Sequence, residues 1–243
     1  MKPVISIALS PDVSMAFILV EGCEFLMGDD QSQFDEEKPA HRVRLSTFYI
    51  SKYPVTQSQW QAVTGENPAY FKGLNRPVEN ISWHEAQDYI EKLSKQTGKQ
   101  FYLPTEAQWE YAARGGKYSQ GYSYSGSDKL KQVAWYEENS NNETHEVGLL
   151  LANELGIHDM SGNVWEWCAD ALSEGYYQAC QQQGVIENPP GPDAEASIHR
   201  VLRGGSNFHQ PQDCRVTYRF GRHPDNRTDR IGFRLCFSPS VSG

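Results

Sequence analysis

Apolar positions along this chain keep three rhythms, and each rhythm predicts a different kind of structure. In the first fifth they come in short clusters, "FILVEG" and "FLMG", then "HRVRLSTFYIS" with Val43, Leu45, Phe48 and Ile50, the pattern of short strands. From Thr56 the spacing becomes helical. Thr56 with Gln59 forms a capping box before "SQWQAVTG", which Gly65 ends, and Ser82 with Glu85 opens "HEAQDYIEKLSKQTG", which Gly98 ends. In the second helix Ala86, Tyr89, Ile90 and Leu93 share one face. A third, shorter helix is predicted at "PTEAQWEYAARGG", with Thr105 as N-cap, Gln108 three residues on and Gly115 as the stop. After that the rhythm fails. Residues 116–163 and 170–198 are rich in Gly, Ser, Asn, Gln and Pro, and only "RVLRGG", "CRVTYR" and "IGFRLCF" read as strands. Long irregular stretches inside a domain point to function or a bound ion rather than to linker.

Composition narrows this to one folded domain spanning 1–243, because no linker or internal repeat interrupts the chain. Aromatic content of 12% with six Trp, beside 22% charged residues, excludes a disordered or coiled-coil protein. The net charge of −9 argues against nonspecific nucleic-acid binding, which needs a basic surface to neutralise phosphates. Residues 203–235 are the local exception, with seven Arg, no Lys and three Asp. "MKPVISIALSPDVSMAFILVEG" holds an apolar run broken by Pro11 and Asp12, with no signal-peptide core, cleavage site or lipid-attachment Cys, and no run approaches a membrane span. A cytoplasmic location is the expectation, with surface display open to a chain whose leader has been removed or that a partner exports. Cys23, Cys168, Cys180, Cys214 and Cys236 are odd in number and show no zinc spacing, so they read as mostly buried thiols.

Standard catalytic signatures are missing: there is no P-loop, dinucleotide fingerprint, nucleophile elbow or zinc-protease helix, and the seven His form no metal pair. "LGIHDMSGNVWEWCAD" is more informative. Gly162 and Asn163 read as a tight turn, and Trp165 and Trp167 as a strand with one strongly buried face. Asp159 and Glu166 flank the turn as hard oxygen ligands that could join loop carbonyls around a structural Ca²⁺; a carboxylate that caps turn amides without metal is the other reading. Asp170 reads as structural. The segment 203–235 has an orderly frame, RGGS, Pro211, CRV, Arg219, PDNR and IGFRL, around miscellaneous contents: Asn207, Phe208, His209, Gln210, Asp213, Thr217, Tyr218, Phe220, Gly221, Thr228, Asp229 and Arg230.

"FILVEGCEFLMG", "PVTQSQW", "PVENISWHEAQDYIEKL", "LPTEAQWEYAARGG", "GIHDMSGNVWEW" and "RVLRGGS…CRV…PDNR…IGFRL" together resemble the formylglycine-generating-enzyme (sulfatase-modifying-factor) family, in order and over nearly the whole chain. The resemblance implies a C-type-lectin-like α+β fold with two main helices, small twisted antiparallel sheets and much loop. It maps the family's calcium loop onto Asp159, the carbonyls of Gly162 and Val164, and Glu166. The family's oxidase resembles a copper enzyme whose two cysteines, five residues apart after the GGS, hold Cu(I) as soft thiolates. Cys214 stands at the second position and His209 at the first, so copper is not expected, and an oxidase here would have to use Cys214, His209 and Ser206. The segment 203–235 also resembles the variable proteins of diversity-generating retroelements, which rewrite selected positions on this fold while a scaffold stays fixed. Asn207 stands where the family usually has Trp. On that layout the contents form a binding surface, with aromatic rings as rigid contact area and Asn, Gln, Asp and Arg as adaptable hydrogen-bonding groups. The expected function is non-catalytic binding of an unidentified protein or surface ligand. The alternatives are a copper- and O₂-dependent oxidase acting on a cysteine, and an interaction domain working beside another protein. The sequence leaves the oligomeric state open.

Overall fold

The computed structural model describes residues 4–193, 195 and 197–239, so both ends of the expected 1–243 domain lie outside the described residues. Strands β1 (Val4–Ala8), β2 (Ser14–Val20), β3 (Glu24–Met27), β4 (His41–Arg44) and β5 (Phe48–Ser51) come first. Helices α1 (Gln57–Thr64) and α2 (Trp83–Thr97), strand β6 (Phe101–Tyr102) and helix α3 (Glu106–Ala113) follow. After a long irregular stretch come β7 (Trp165–Ala171), α4 (Tyr176–Gln183), β8 (Ile186–Glu187), β9 (Arg200–Arg203), β10 (Arg219–Arg222), β11 (Ile231–Phe233) and β12 (Cys236–Phe237).

All three expected capping boxes form: Thr56 with Gln59, Ser82 with Glu85 and Thr105 with Gln108 exchange side-chain and backbone hydrogen bonds. Gly65 and Gly98 close α1 and α2 in the left-handed conformation that spares glycine a Cβ penalty. α4 lies in a stretch with no helical signal in the sequence. It opens at Gly175 without a side-chain cap and buries only Tyr177 and Cys180.

The strands form a five-stranded sheet β1-β2-β5-β12-β6, a four-stranded sheet β10-β9-β7-β11 and a three-stranded sheet β3-β4-β8. They are mixed rather than wholly antiparallel, since β11 runs parallel to β7 and β8 parallel to β4. β7 is central in its sheet and buried on both faces: Trp165, Glu166, Trp167 and Cys168 are each at most 4% exposed. The expected single buried face is therefore doubled, because Glu166 and Cys168 are enclosed as well. The main core packs Trp60 against Tyr89 in a stack at 5.0 Å, with Phe233 edge-on to both. Four of the five cysteines are buried free thiols, and Cys23 is exposed. Among the described residues no helix is long and apolar enough to cross a membrane.

Candidate functional site

The site is built from the C-terminal segment, and four arginines of that segment fix its course. Arg203 in β9 reaches Glu110 of α3 and also donates to the carbonyls of Val216, Thr217 and Tyr218, at 3.0, 2.8 and 3.0 Å. Arg219 in β10 grips Glu106, one turn earlier on α3, through two bonds of 2.7 and 2.5 Å. Arg215 holds Glu37 with bonds of 2.9 and 2.5 Å, and Arg234 holds Glu166 with bonds of 2.6 and 2.7 Å. All four glutamates are at most 2% exposed. A planar guanidinium with five donors meets a carboxylate and several loop carbonyls at once, which a lysine cannot do. Burial pushes the Glu110 carboxyl up, yet Arg114 and Arg203 outweigh it and hold the group below the usual carboxylate range. The frame is thus a set of charge-paired anchors that give irregular backbone a fixed path.

The contents gather around Trp165. Its ring lies 5.1 Å from His209, 6.0 Å from Tyr218 and 5.7 Å from Phe220, and its indole is only 4% exposed beneath them. Phe208 is exposed and carries the Arg230 guanidinium over its ring at 3.7 Å. Arg222 lies over Phe220 at 5.1 Å, and Phe34, far away in the chain, meets Tyr218 edge-on at 5.2 Å. Gln210 is exposed, and Asp213, Gly221, Thr228 and Asp229 are half-buried. Asp213 accepts the Gln210 amide at 3.2 Å, closing the short turn Pro211–Cys214. Beside the rings a groove of about 650 Å³ opens, with Tyr218, Phe220 and Gly221 on one wall and Phe34, Asp35 and Glu36 among the residues of the other.

Two expected contact residues are not at the surface. Asn207 is 0% exposed: its N–H donates to the Asn163 carbonyl at 3.0 Å, and its carbonyl accepts from Ser140. Neither atom of its side-chain amide has a hydrogen-bond partner among the described residues. Thr217 is 6% exposed, its carbonyl bound by Arg203 and its hydroxyl by Arg215, so it belongs with the frame. Conversely, the frame motif PDNR is a surface turn: Asp225, Asn226 and Arg227 are exposed, with Arg227 paired to Glu85 at 3.1 Å. Phe34, Glu36, Glu37 and Glu174 escaped the sequence reading, because nothing local in "FDEEKP" or "SEGYY" signals a surface that only tertiary folding assembles.

At the position of the missing thiol, His209 is committed within the protein. The Trp165 indole N–H can only donate, and it points at His209 Nε2 at 3.3 Å, so Nε2 is the acceptor and the proton sits on Nδ1. Nδ1 then donates to Ser206 Oγ at 2.6 Å. Burial lowers the His209 pKa from its ordinary value, which favours this neutral ring. Cys214 is 0% exposed and packs with Leu130, Ala134 and Tyr136. Burial pushes its thiol far above the ordinary range, so the reactive thiolate is disfavoured. A copper site does not fit this pair: one soft ligand is absent and the other is a thiol enclosed by apolar neighbours.

The expected calcium loop does not fit a cation either. Glu166 Oε2 accepts from Trp109 Nε1 at 2.6 Å and from Arg234, which also takes Oε1, so both oxygens are spent on protein donors. Arg234 continues to the carbonyls of Ser51 and His158 at 3.0 and 3.1 Å. Asp159 accepts the Gly148 amide at 2.8 Å, and burial raises its pKa to about 6. Gly162 is pinned at a left-handed φ of 75°, where a Cβ would meet the Trp135 carbonyl oxygen at 2.2 Å, and Val164 is fully buried. Among the described residues no three His, Cys, Asp or Glu side chains form a metal-binding group. The guanidinium of Arg234 supplies the positive charge that a calcium ion was expected to bring.

The chain is 39% identical to the chaperone protein LppX of Paenibacillus barcinonensis, over 85% of this chain and 83% of that protein. It is 28% identical to the formylglycine-generating enzyme of Streptomyces coelicolor, over 93% of this chain and 90% of that enzyme. Among solved structures, Treponema denticola variable protein 1 superimposes with a TM-score of 0.88 at 29% identity, over 98% of this chain and 100% of that one. The model of the sulfatase-modifying factor enzyme 1-like domain matches residues 10–238, so the chain belongs to that family, on its C-type-lectin-like α+β fold.

Proposed function

We propose that the chain is a non-catalytic binding scaffold that presents a varied surface, in the manner of the variable proteins of diversity-generating retroelements. One observation carries the reading: Phe208, His209, Tyr218, Phe220 and Arg230 cluster on and around Trp165, while every arginine of the adjoining frame that enters the core is tied to a buried glutamate. Such a division lets surface side chains change without disturbing the anchors, since substitutions away from cores and caps usually alter stability by less than about 0.5 kcal/mol. The rings supply contact area at little entropic cost, and Arg230, Gln210 and Asp229 supply adaptable polar contacts. The likeness to Treponema denticola variable protein 1 supports the same reading.

The likeness to a formylglycine-generating enzyme, together with Cys214 at the second thiol position, favours oxidase chemistry as the second reading. The enclosed thiol and the hydrogen-bonded His209 argue against it. Purified protein incubated with Cu(I), O₂ and a sulfatase-type cysteine peptide should leave the cysteine unchanged by mass spectrometry. Copper-dependent formylglycine at enzyme-like turnover defeats the proposal. The diversified origin is tested separately: the genome should hold, beside a reverse-transcriptase gene, a near-copy of the region coding for 203–235 that differs at adenines. A partner protein or surface group is the expected ligand.

A further inference from the structure

We infer that the groove beside the varied positions receives a basic side chain, arginine or lysine, carried on an extended segment of a protein partner. The inference rests on the binding-surface reading and names the chemistry of what that surface takes. At about 650 Å³ the groove falls in the usual range of ligand sites and exceeds a single side chain. Its lining is aromatic where it meets the varied positions, with Phe34 set edge-on to Tyr218 at 5.2 Å and Phe220 beside them. Aromatic faces attract cations. Guanidinium groups of the protein itself already lie over these rings, Arg215 over Phe34 at 5.3 Å and Arg222 over Phe220 at 5.1 Å, so the lining accepts this chemistry.

Charge points the same way. Glu37 and Arg219 also line the groove, but each is matched by an ion-pair partner, Arg215 and Glu106. Of the charges that line the groove, Asp35, Glu36 and Glu174 are exposed and the half-buried Lys38 pairs with Asp35 at 2.9 Å, while the exposed Arg222 stands at the edge over Phe220. Neither the Glu36 nor the Glu174 carboxylate forms an ion pair shorter than 4.0 Å among the described residues. Burial, and after it Asp213, raises the Tyr218 pKa to about 12, with Glu36 a smaller contribution in the same direction. An acidic mouth over an aromatic floor in a chain of net charge −9 draws a basic segment and repels an acidic one.

The test is selection of a random dodecamer peptide library on the wild-type protein and on the double variant Glu36→Gln/Glu174→Gln, whose changes lie at exposed positions and leave the anchors intact. Wild type should enrich peptides with Arg or Lys. Resynthesised winners should bind the double variant about tenfold more weakly, the effect expected of removing two partly exposed charge contacts. Replacing their basic residue by Gln should cause a similar loss, and raised salt should weaken the wild-type complex. Winners without basic enrichment, or winners that bind the double variant as tightly as wild type, overturn the inference. A third variant, Phe208→Ala/Arg230→Ala, separates the two levels. Winners that depend on Phe208 and Arg230 but ignore Glu36 and Glu174 leave the binding surface standing and remove the groove from it. A selection that yields no protein-dependent winners at all overturns both.

Discussion

At Glu166 a carboxylate that the sequence reads as a metal ligand faces a guanidinium, and the replacement has measurable consequences. Removing one member of a buried ion pair leaves the other charge uncompensated, at a cost of about 3–5 kcal/mol. Glu166→Gln should lower the unfolding free energy from urea denaturation by an amount in that range, while a chelator should leave the melting temperature of wild type unchanged. A chelator-dependent fall in calorimetry restores the calcium reading. Asp170 offers a second test. Burial, and after it the neighbouring Glu106, raises its pKa to about 7, and Oδ2 accepts the Glu106 amide at 2.8 Å. The folded state therefore holds this proton over a range where the unfolded chain has released it. The stability it confers is complete below about pH 4 and is lost as pH rises towards 7. Glu79, raised to about 7 chiefly by burial, acts with the same sign. Buried His41 and half-buried His158 and His209, whose pKa values desolvation lowers, act with the opposite sign. The difference between wild type and Asp170→Asn isolates the one group: urea midpoints of the variant should fall less between about pH 4 and 7. Parallel profiles for the two proteins contradict the assignment.

At the scale of elements, what was legible depended on how local its cause was. The three capping boxes each act within four residues, and all three formed as written. α4 was not legible, because "YYQACQQQ" has no capping side chain and no sustained apolar face. β7 was half legible: the alternating Trp165 and Trp167 declare one buried face, while Glu166 on the other face reads as an oxygen ligand or a turn cap, and nothing local shows that Arg234 meets it. The path from β9 to β10 follows the same logic, with one local device that the sequence does reveal. Gly205 has φ of 72°, and a Cβ there would lie 2.7 Å from Cys214 Sγ and 2.9 Å from the Asp213 carbonyl oxygen. Gly205→Ala should destabilise by about 1–3 kcal/mol, the usual size of a left-handed strain joined to a close contact. A denaturation midpoint equal to that of wild type removes Gly205 from the frame and leaves the turn to its arginines.

For the molecule as a whole, the fold was legible through motif order, and the anchoring was not. The frame arginines meet their glutamates across 178, 113, 93 and 68 residues, for Arg215, Arg219, Arg203 and Arg234 in turn, and no local pattern encodes such a pairing. The groove was hidden for the same reason, since Phe34 and Glu36 come from the start of the chain and Tyr218 and Phe220 from its end. Of the irregular contents of 203–235, Phe208 and Gln210 are exposed and eight are half-buried, while the backbone turns inward at Asn207 and Thr217. This division of labour predicts an inversion of the usual relation between the number of mutations and the damage they do. Replacing Phe208, His209, Tyr218, Phe220 and Arg230 together by Ala removes one exposed and four half-buried side chains, of which Tyr218 and Phe220 pack on the edge of the core, and no buried ion pair. Replacing Arg219 alone strands Glu106 in the core, at about 3–5 kcal/mol. The fivefold variant should therefore retain its fold and melt above Arg219→Ala, while losing binding to any peptide or protein selected on wild type. Circular dichroism melts of the two variants decide it. If the fivefold variant is the less stable of the pair, the rings around Trp165 belong to the core, and the segment has no surface to offer.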